Sequence, residues 1–442
     1  MQRMPNIIEP LLKQYKDGAK KPESVVSDLL ERITSSNVNA FISVQGDQAL
    51  AQARTLADTP IALRQPLHGV AVGIKDLIDV KGCATTMGAE GFENNIADED
   101  AEVVARIRAA GAILIGKTNT HQFAYGPMGD RSAAGPVLNP HNKKHMTGGS
   151  SSGSAAAVAA GLVHAAVGSD TAASIRLPAA FCGVVGMKPT LGLVPSSGVF
   201  PLSRTLDHLG PITVNCRDNA RMLAVMAGRD THFYSRLIGK PVRELVVGLP
   251  DHFFNKHWSA AVRAAMVQAT QALGQSGVRL RAVSIPRIDE IYEAQQCVLR
   301  AEAYALHAER LATGAPYEEE VRERLLTGKG ISDEAYNDAL SYQALARASF
   351  DEALDEVDVI LTPTCGVTAP RLQERETLSE GKTVQTRWLL TRLTAPTNFS
   401  GHPSLSVPFG KDKQQLPIGI QLIGRYHDEV TLYQLGDSLA AL

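Results

Sequence analysis

Three short segments carry side chains whose types and spacing could do chemistry. Gly148-Gly-Ser-Ser-Ser-Gly-Ser-Ala-Ala-Ala-Val-Ala-Ala-Gly161 puts several hydroxyls at the start of an alanine-rich helix. Free N–H groups and the positive end of the helix dipole favour a developing anion there. Capping by serine explains one or two of these hydroxyls, not three in a row behind two glycines. Gly168-Ser-Asp-Thr-Ala-Ala-Ser-Ile-Arg-Leu-Pro178 follows. Upstream, Gly73-Ile-Lys75-Asp76 ends an apolar run. A lysine leaving a buried strand end loses hydration, which lowers its pKa and can make it a neutral base. Taken alone, Lys75 reads more commonly as a surface lysine or as the salt-bridge partner of Asp76.

The elements that must position these groups follow from hydrophobic periodicity. Ile7 to Ser36 reads as helix, with Pro22 suited to a first turn, and Ala40 to Val44 as strand. Val70–Ile74 is an apolar strand, Ala101–Ala110 a helix stopped by Gly111, and Ala112–Ile115 a buried strand. Pro127–Gly149 lacks periodicity and reads as a long ordered loop. Ser151–Ala160 is a helix closed by Gly161, and Leu162–Gly168 a further strand. That helix carries the chain away by about 15 Å and the strand returns it by about 20 Å. Ser150 and Ser174 can therefore meet at one edge of the sheet. Beyond residue 230 the chain is mostly helical over 255–275 and 287–356, with charged, solvated faces. Strand signals return at Val357–Leu361, Ser404–Val407 and Ile418–Leu422, so the C-terminal section should rejoin the first sheet. The rhythm predicts an α/β fold.

Two motifs mislead. Gly111-Ala-Ile-Leu-Ile-Gly-Lys-Thr118 matches the P-loop formula, but a phosphate-cradling loop cannot be built from Ala112–Ile115, which want to be a buried strand. Gly149-Ser-Ser151-Ser-Gly153 matches the nucleophile elbow, with Asp358 and His402 as triad partners. An elbow should follow directly on a strand, whereas Lys143–Thr147 is polar loop.

Composition narrows the class. The 442 residues are 44% hydrophobic and 5% aromatic, so the core must be aliphatic and alanine-rich. A net charge of −2 argues against a broad surface for nucleic acid or anionic lipid. The five cysteines are scattered, with no C-x-x-C, which fits neither a disulfide framework nor a zinc site. The stretch Ala155–Val167 is too short for a membrane span, and Met1–Lys21 shows no secretory signal. A cytoplasmic protein is expected.

The chain resembles the amidase signature family of serine amidohydrolases. The resemblance runs through the Gly/Ser block, Ser174-Ile-Arg-Leu-Pro-Ala-Ala-Phe-Cys-Gly-Val-Val-Gly-Met-Lys-Pro-Thr190, Thr205-Leu-Asp-His-Leu-Gly-Pro211 and Leu416-Pro-Ile-Gly-Ile-Gln-Leu-Ile-Gly424. Pro66–Asp76 and Gly111–Asn119 also fit, and residues 232–355 fit least. The resemblance implies a large mixed β-sheet sandwiched between helices, in one amidase domain over 1–442 with a helical substrate-specificity region inserted at 232–355. It implies Ser174 as nucleophile, Ser150 as bridging serine preceded by a cis peptide, and Lys75 as base. Backbone N–H groups of Thr171, Ala172, Ala173 and Ser174 would form the oxyanion hole, with Asp170 and Arg176 as a supporting ion pair. Ala124, Tyr125 and Met128 in the loop 123–135, together with the 232–355 helices, would line the substrate pocket. No metal or organic cofactor is implied. The expected partner is a small-molecule amide, with a homodimer compatible; neither nucleic acid nor a membrane is expected.

The family has two glycines before the nucleophile where this chain has Ala172 and Ala173. Alanine resists φ > 0, so either the loop takes ordinary angles or the oxyanion hole is altered. The leading function is hydrolysis of a linear, non-peptide carboxamide through an acyl-enzyme on Ser174, giving carboxylate and ammonia or amine. The alternatives are a glutamine-hydrolysing transamidation subunit working with partner proteins, a Ser-His esterase, and a silent scaffold, which the intact Lys75, Ser150 and Ser174 oppose.

Overall fold

The computed structural model describes residues 6–441. Thirteen strands form in chain order: β1 Phe41–Val44, β2 Ala71–Lys75, β3 Ile113–Thr118, β4 Ala165–Asp170, β5 Val185–Lys188, β6 His208–Thr213, β7 Val246–Pro250, β8 Arg279–Val283, β9 Val359–Pro363, β10 Glu376–Ser379, β11 Lys382–Gln385, β12 Ser404–Lys411 and β13 Pro417–Gly424. Eleven of them make one sheet in the order β1-β3-β2-β4-β6-β5-β12-β13-β9-β7-β8, while β10 and β11 pair as a separate hairpin. The β3-β2-β4 and β9-β7-β8 groups are parallel, and the strands between β4 and β9 run antiparallel. This is the large mixed sheet that the family resemblance implies. The C-terminal strands do rejoin it, by inserting β12 and β13 at its centre.

The interior strands are buried throughout, as the runs Ala71–Lys75 and Ala165–Asp170 require. Helices cover both faces. One face buries Val70, Val72 and Ile74 against Val104, Ile107 and Leu223. The other packs Ala155–Val158 against Ile113, Ile115 and Ala166. The alanine-rich helix can lie this close because of Gly153, where a Cβ would stand 2.3 Å from the Ala40 carbonyl and 2.4 Å from the Asn119 nitrogen.

Some boundaries differ from the sequence reading. The Ile7–Ser36 helix is two helices, Ile8–Lys16 and Pro22–Ser35, broken where Gly18 takes φ 70°. The strand expected from Leu162 starts at Ala165, because Gly161, at φ 63°, reverses the chain first. The 232–355 segment supplies β7 and β8 as well as its helices, extending the sheet at one edge. The P-loop look-alike is strand β3, and the 127–149 stretch is loop.

Candidate active site

Strands β2 and β4 are parallel neighbours, with Ile74 level with Val167. Their C-terminal ends therefore leave the sheet side by side, bringing Lys75 level with the Gly168–Asp170 segment. Lys75 is fully buried. Its Nζ lies 2.7 Å from Ser150 Oγ and 2.9 Å from Ser169 Oγ, and it forms no ion pair among the described residues. Burial lowers its pKa to about 7, against an opposing pull from the Asp170 and Asp207 charges. In its neutral form, a lysine between two hydroxyls can accept a proton from one while donating to the other. The Gly149–Ser150 peptide is cis, and the Ser150 carbonyl accepts from His121 N–H (3.1 Å) and the Thr120 hydroxyl (3.0 Å).

Ser174 sits in the turn between β4 and the helix Arg176–Cys182. Asp170 closes that turn from inside, accepting the Ile175 N–H at 3.0 Å. Arg176 grips the same carboxylate with two donors, at 3.0 and 2.9 Å, and both side chains are fully buried. Burial alone would raise the Asp170 pKa, but the Arg176 charge and hydrogen bonds hold it well below the carboxylate range. Arg176 also donates to the Thr394 carbonyl, Thr397 Oγ1, Asn398 Oδ1 and Gln421 Oε1. Ala172 and Ala173 keep negative φ. Among the described residues, no hydrogen bond engages the N–H groups of Thr171, Ala172, Ala173 or Ser174. Four unengaged donors on one turn can receive an anion. Ser174 is 7% exposed, and its hydroxyl also has no partner within the described fold.

The serine run is a clamp more than a cap. Ser151 Oγ donates to the Ser169 carbonyl and accepts the Ser169 N–H, at 3.1 and 3.2 Å. Ser154 Oγ donates to the Val167 carbonyl at 3.0 Å. These bonds fasten the helix to β4 and commit Ser151 elsewhere than to nucleophilic attack. His402 pairs with Asp351 and Ser400, and Asp358 with Arg425 and the Val246 N–H, so neither approaches Ser151. The reading of Lys75 as partner of Asp76 also fails. The Asp76 carboxylate lies 2.9 Å from Lys117 Nζ instead.

Two cavities flank the Ala124–Tyr125 turn. The larger, about 520 Å³, is lined by Tyr125, Tyr292, Arg300, Arg324, Arg387 and Trp388 among others. Arg324 lies over the Tyr125 ring at 4.2 Å, and the Tyr125 hydroxyl is buried without a partner. Ala172 of the Ser174 turn belongs to the same extended apolar cluster as Tyr125, Tyr292 and Leu299 of this wall. The smaller, about 70 Å³, is lined by Ala124, Ser169, Thr171 and Asp207 with apolar neighbours. Asp207 accepts the Thr171 hydroxyl at 2.6 Å and the Leu202 N–H at 2.9 Å, and burial raises its pKa to about 6. Of the substrate residues expected from sequence, Ala124 and Tyr125 line the two cavities; Met128 lines neither and packs with Ala173 and Leu177. Sequence reasoning missed Ser169, Asp207 and the arginine-bearing walls. Ser169 could have been found by setting β4 parallel to β2. No local pattern marks Arg324 or Arg387.

A family model for amidases matches residues 24–433. The chain is 36% identical over 440 residues to a glutamyl-tRNA(Gln) amidotransferase subunit from Koribacter versatilis, covering 91% of this chain and 90% of that protein. A crystal structure of an amidase superposes with a TM-score of 0.92 at 33% identity, covering 99% of both chains. The corresponding glutamyl-tRNA(Gln) amidotransferase subunit from Thermotoga maritima superposes with a TM-score of 0.80 at 33% identity, covering 97% of this chain and 93% of that one.

Proposed function

The chain belongs to the amidase family, acting on carboxamide C–N bonds, and from that premise we propose that Ser174 is its nucleophile, Ser150 the bridging hydroxyl and Lys75 the base. One observation carries the assignment. A fully buried lysine, unpaired with any carboxylate, stands 2.7 Å from the hydroxyl of Ser150 with its pKa lowered to about 7 by burial.

Neutral Lys75 takes the Ser150 proton as Ser150 takes that of Ser174. The freed oxygen attacks the carbonyl carbon. The carbonyl oxygen becomes an anion facing the N–H groups of Thr171 to Ser174. The C–N bond then breaks, its electron pair stays on nitrogen, and the relay returns the proton through Ser150 to the departing amine. Protonation is needed because an amine anion is a very poor leaving group. Water attacks the acyl-Ser174 by the same relay and restores the hydroxyl. Asp170 and Arg176 hold the turn and take no part in proton transfer.

The larger cavity receives the acyl portion. Arg300, Arg324 and Arg387 face one lining carboxylate, Glu293, so an acyl group bearing a negative charge is favoured. We place the protein in the cytoplasm, where its five free cysteines stay reduced. Among the described residues no helix is long and apolar enough to cross a membrane. A second reading, that of a transamidation component, is favoured by its sequence relatives. The superposition is closer on the amidase than on the amidotransferase subunit, which supports the hydrolytic reading, and co-purification of partner proteins would reverse that order.

The test is covalent labelling by a fluorophosphonate. Ser174→Ala is expected to lose both labelling and turnover with an unchanged circular dichroism spectrum. Labelling that survives in Ser174→Ala and disappears in Ser151→Ala would install the elbow serine instead.

A further inference from the structure

Strands β4 and β6 are antiparallel, with Asp170 opposite His208. Thr171 and Asp207 are therefore the next facing pair, one step beyond the end of the ladder, and their side chains meet. The Thr171 hydroxyl donates to Asp207 Oδ1 at 2.6 Å. The other oxygen, Oδ2, accepts the Leu202 N–H at 2.9 Å and the Ser203 N–H at 3.2 Å. Closing the 202–207 loop accounts for Oδ2 alone. Oδ1 reaches out of that loop to the first residue of the turn that bears Ser174.

The peptide between Asp170 and Thr171 is held at both ends. Asn398 Nδ2 donates to the Asp170 carbonyl at 2.7 Å. That peptide is trans, so its N–H points away from the carbonyl. Asn398 on the carbonyl and Asp207 on the Thr171 side chain together fix where the Thr171 N–H aims. The loop of Asp207 is itself tied down from outside. Glu302, on the helix Ile288–Ala312, accepts from the Ser203 hydroxyl at 2.7 Å, the Thr205 N–H at 3.2 Å and the Thr205 hydroxyl. The Tyr336 hydroxyl donates to Glu302 at 2.9 Å.

Resting on the proposed Ser174 mechanism, we propose that Asp207 is a positioning residue of that reaction: it sets the Thr171 end of the anion-receiving turn, its charge favours the Lys75 ammonium that forms as the proton leaves Ser150, and Glu302 holds it in place. A donor aimed in advance needs no reorientation when the carbonyl oxygen becomes an anion. Burial lowers the Lys75 pKa to about 7, while the charges of Asp170 and Asp207 pull it upward. Asp170, at the end of β4, already has Arg176 as its partner. Asp207, ahead of β6, forms no ion pair among the described residues. The charged groups around it are Lys75 and, on the wall of the smaller cavity, the exposed Arg204. Burial raises the Asp207 pKa to about 6, so its charge is present where Lys75 titrates.

The test follows the rate of fluorophosphonate labelling between about pH 5 and 9, because the phosphoryl oxygen of the probe stands where the carbonyl oxygen would. All variants are compared at unchanged circular dichroism. At about pH 9, Thr171→Val should label about 10- to 100-fold more slowly than the unaltered protein, as a misplaced group does. Thr171→Ser keeps the hydroxyl and should label nearly as fast as the unaltered protein. Asp207→Asn should move the acidic limb of the labelling rate to lower pH, because a charge that favours the ammonium is gone. A purely structural role would slow labelling and leave that limb in place. Glu302→Ala should slow labelling severalfold, yet add nothing to Thr171→Val, since the two act through one chain of bonds. Four results would each overturn the inference: Thr171→Val labelling at the unaltered rate, Thr171→Ser labelling slowly, an acidic limb unmoved or shifted to higher pH in Asp207→Asn, or additive losses in the Glu302 pair. If the unaltered protein labels at Ser174 and these variants label like it, this inference alone falls. No labelling of the unaltered protein removes the nucleophile together with it.

Discussion

Two lysines stand at the ends of neighbouring parallel strands, and their surroundings differ by a single turn of the pleat. Ile74 of β2 is level with Lys117 of β3, and Lys75 with Thr118. Alternation therefore sends Lys117 and Asp76 to one face and Lys75 to the other. On the first face the Lys117 ammonium meets the Asp76 carboxylate at 2.9 Å, with Thr85 Oγ1 also at 2.9 Å. On the second, Lys75 meets only hydroxyls. The same side chain, buried at the same depth, becomes part of a scaffold where a carboxylate faces it and, in the proposed mechanism, a base where none does. Adjacency in sequence pairs Lys75 with Asp76; the pleat separates them.

The comparison is broken most severely at Lys75. Lys75→Ala should lower kcat by about 10²–10⁴-fold, the usual worth of a general base. In the unaltered enzyme the rate should fall as the pH drops through about 7, because Lys75 is neutral above that value and charged below it. A pH–rate profile flat from 6 to 9 would contradict the assignment of the base. On the other face, Asp76→Asn strands a buried ammonium. It should cost about 3–5 kcal/mol of stability, as breaking one partner of a buried pair does. Urea melts measure the loss, and the acidic limb of the surviving activity should stay in place because Lys75 faces away.

Smaller changes sharpen the contrast. Ser169→Ala removes one hydrogen bond from Lys75 and should lower kcat by roughly five- to tenfold, matching about 1 kcal/mol, with KM unchanged. Steady-state kinetics on one amide decide it. Ala172→Gly probes the turn itself. Since Ala172 keeps negative φ, glycine only adds freedom to the unfolded chain. A stability loss of about 0.4–1 kcal/mol and no gain in rate on short amides are expected from thermal melts and kcat/KM.

The gathering of Lys75, Ser150 and the Ser174 turn, the proposed proton-handling site, was legible in the sequence, because it lies in short segments where each residue type has a local reason. Small residues let a helix touch a strand, a polar residue ends an apolar run, and the distances along helix and strand close the loop between Ser150 and Ser174. The two open possibilities at Ala172 and Ala173 needed the backbone angles. The walls of the larger cavity were not legible. Tyr125, Arg324 and Arg387 come from three segments that meet only through tertiary packing. In the sequence Arg324 reads as one more charge on a solvated helix, yet its guanidinium covers the Tyr125 ring. Strands β7 and β8 were hidden by the helical texture around them, and their pairing with β9 is set by the sheet edge they join.

Arg176 also sets an order of events during synthesis. The turn bearing Ser174 and its Asp170–Arg176 pair are complete before residue 180 of the chain, but the remaining donors of Arg176 are filled by Thr394, Thr397, Asn398 and Gln421, more than 200 positions later. A nascent chain lacking β13 leaves guanidinium donors of Arg176 unfilled beside Ser174. Such long-range closure is slow to form. On the proposed assignment the hydroxyl should be armed only near the end of translation, and interrupted or clipped chains should be inert polypeptides rather than loose hydrolases in the cell.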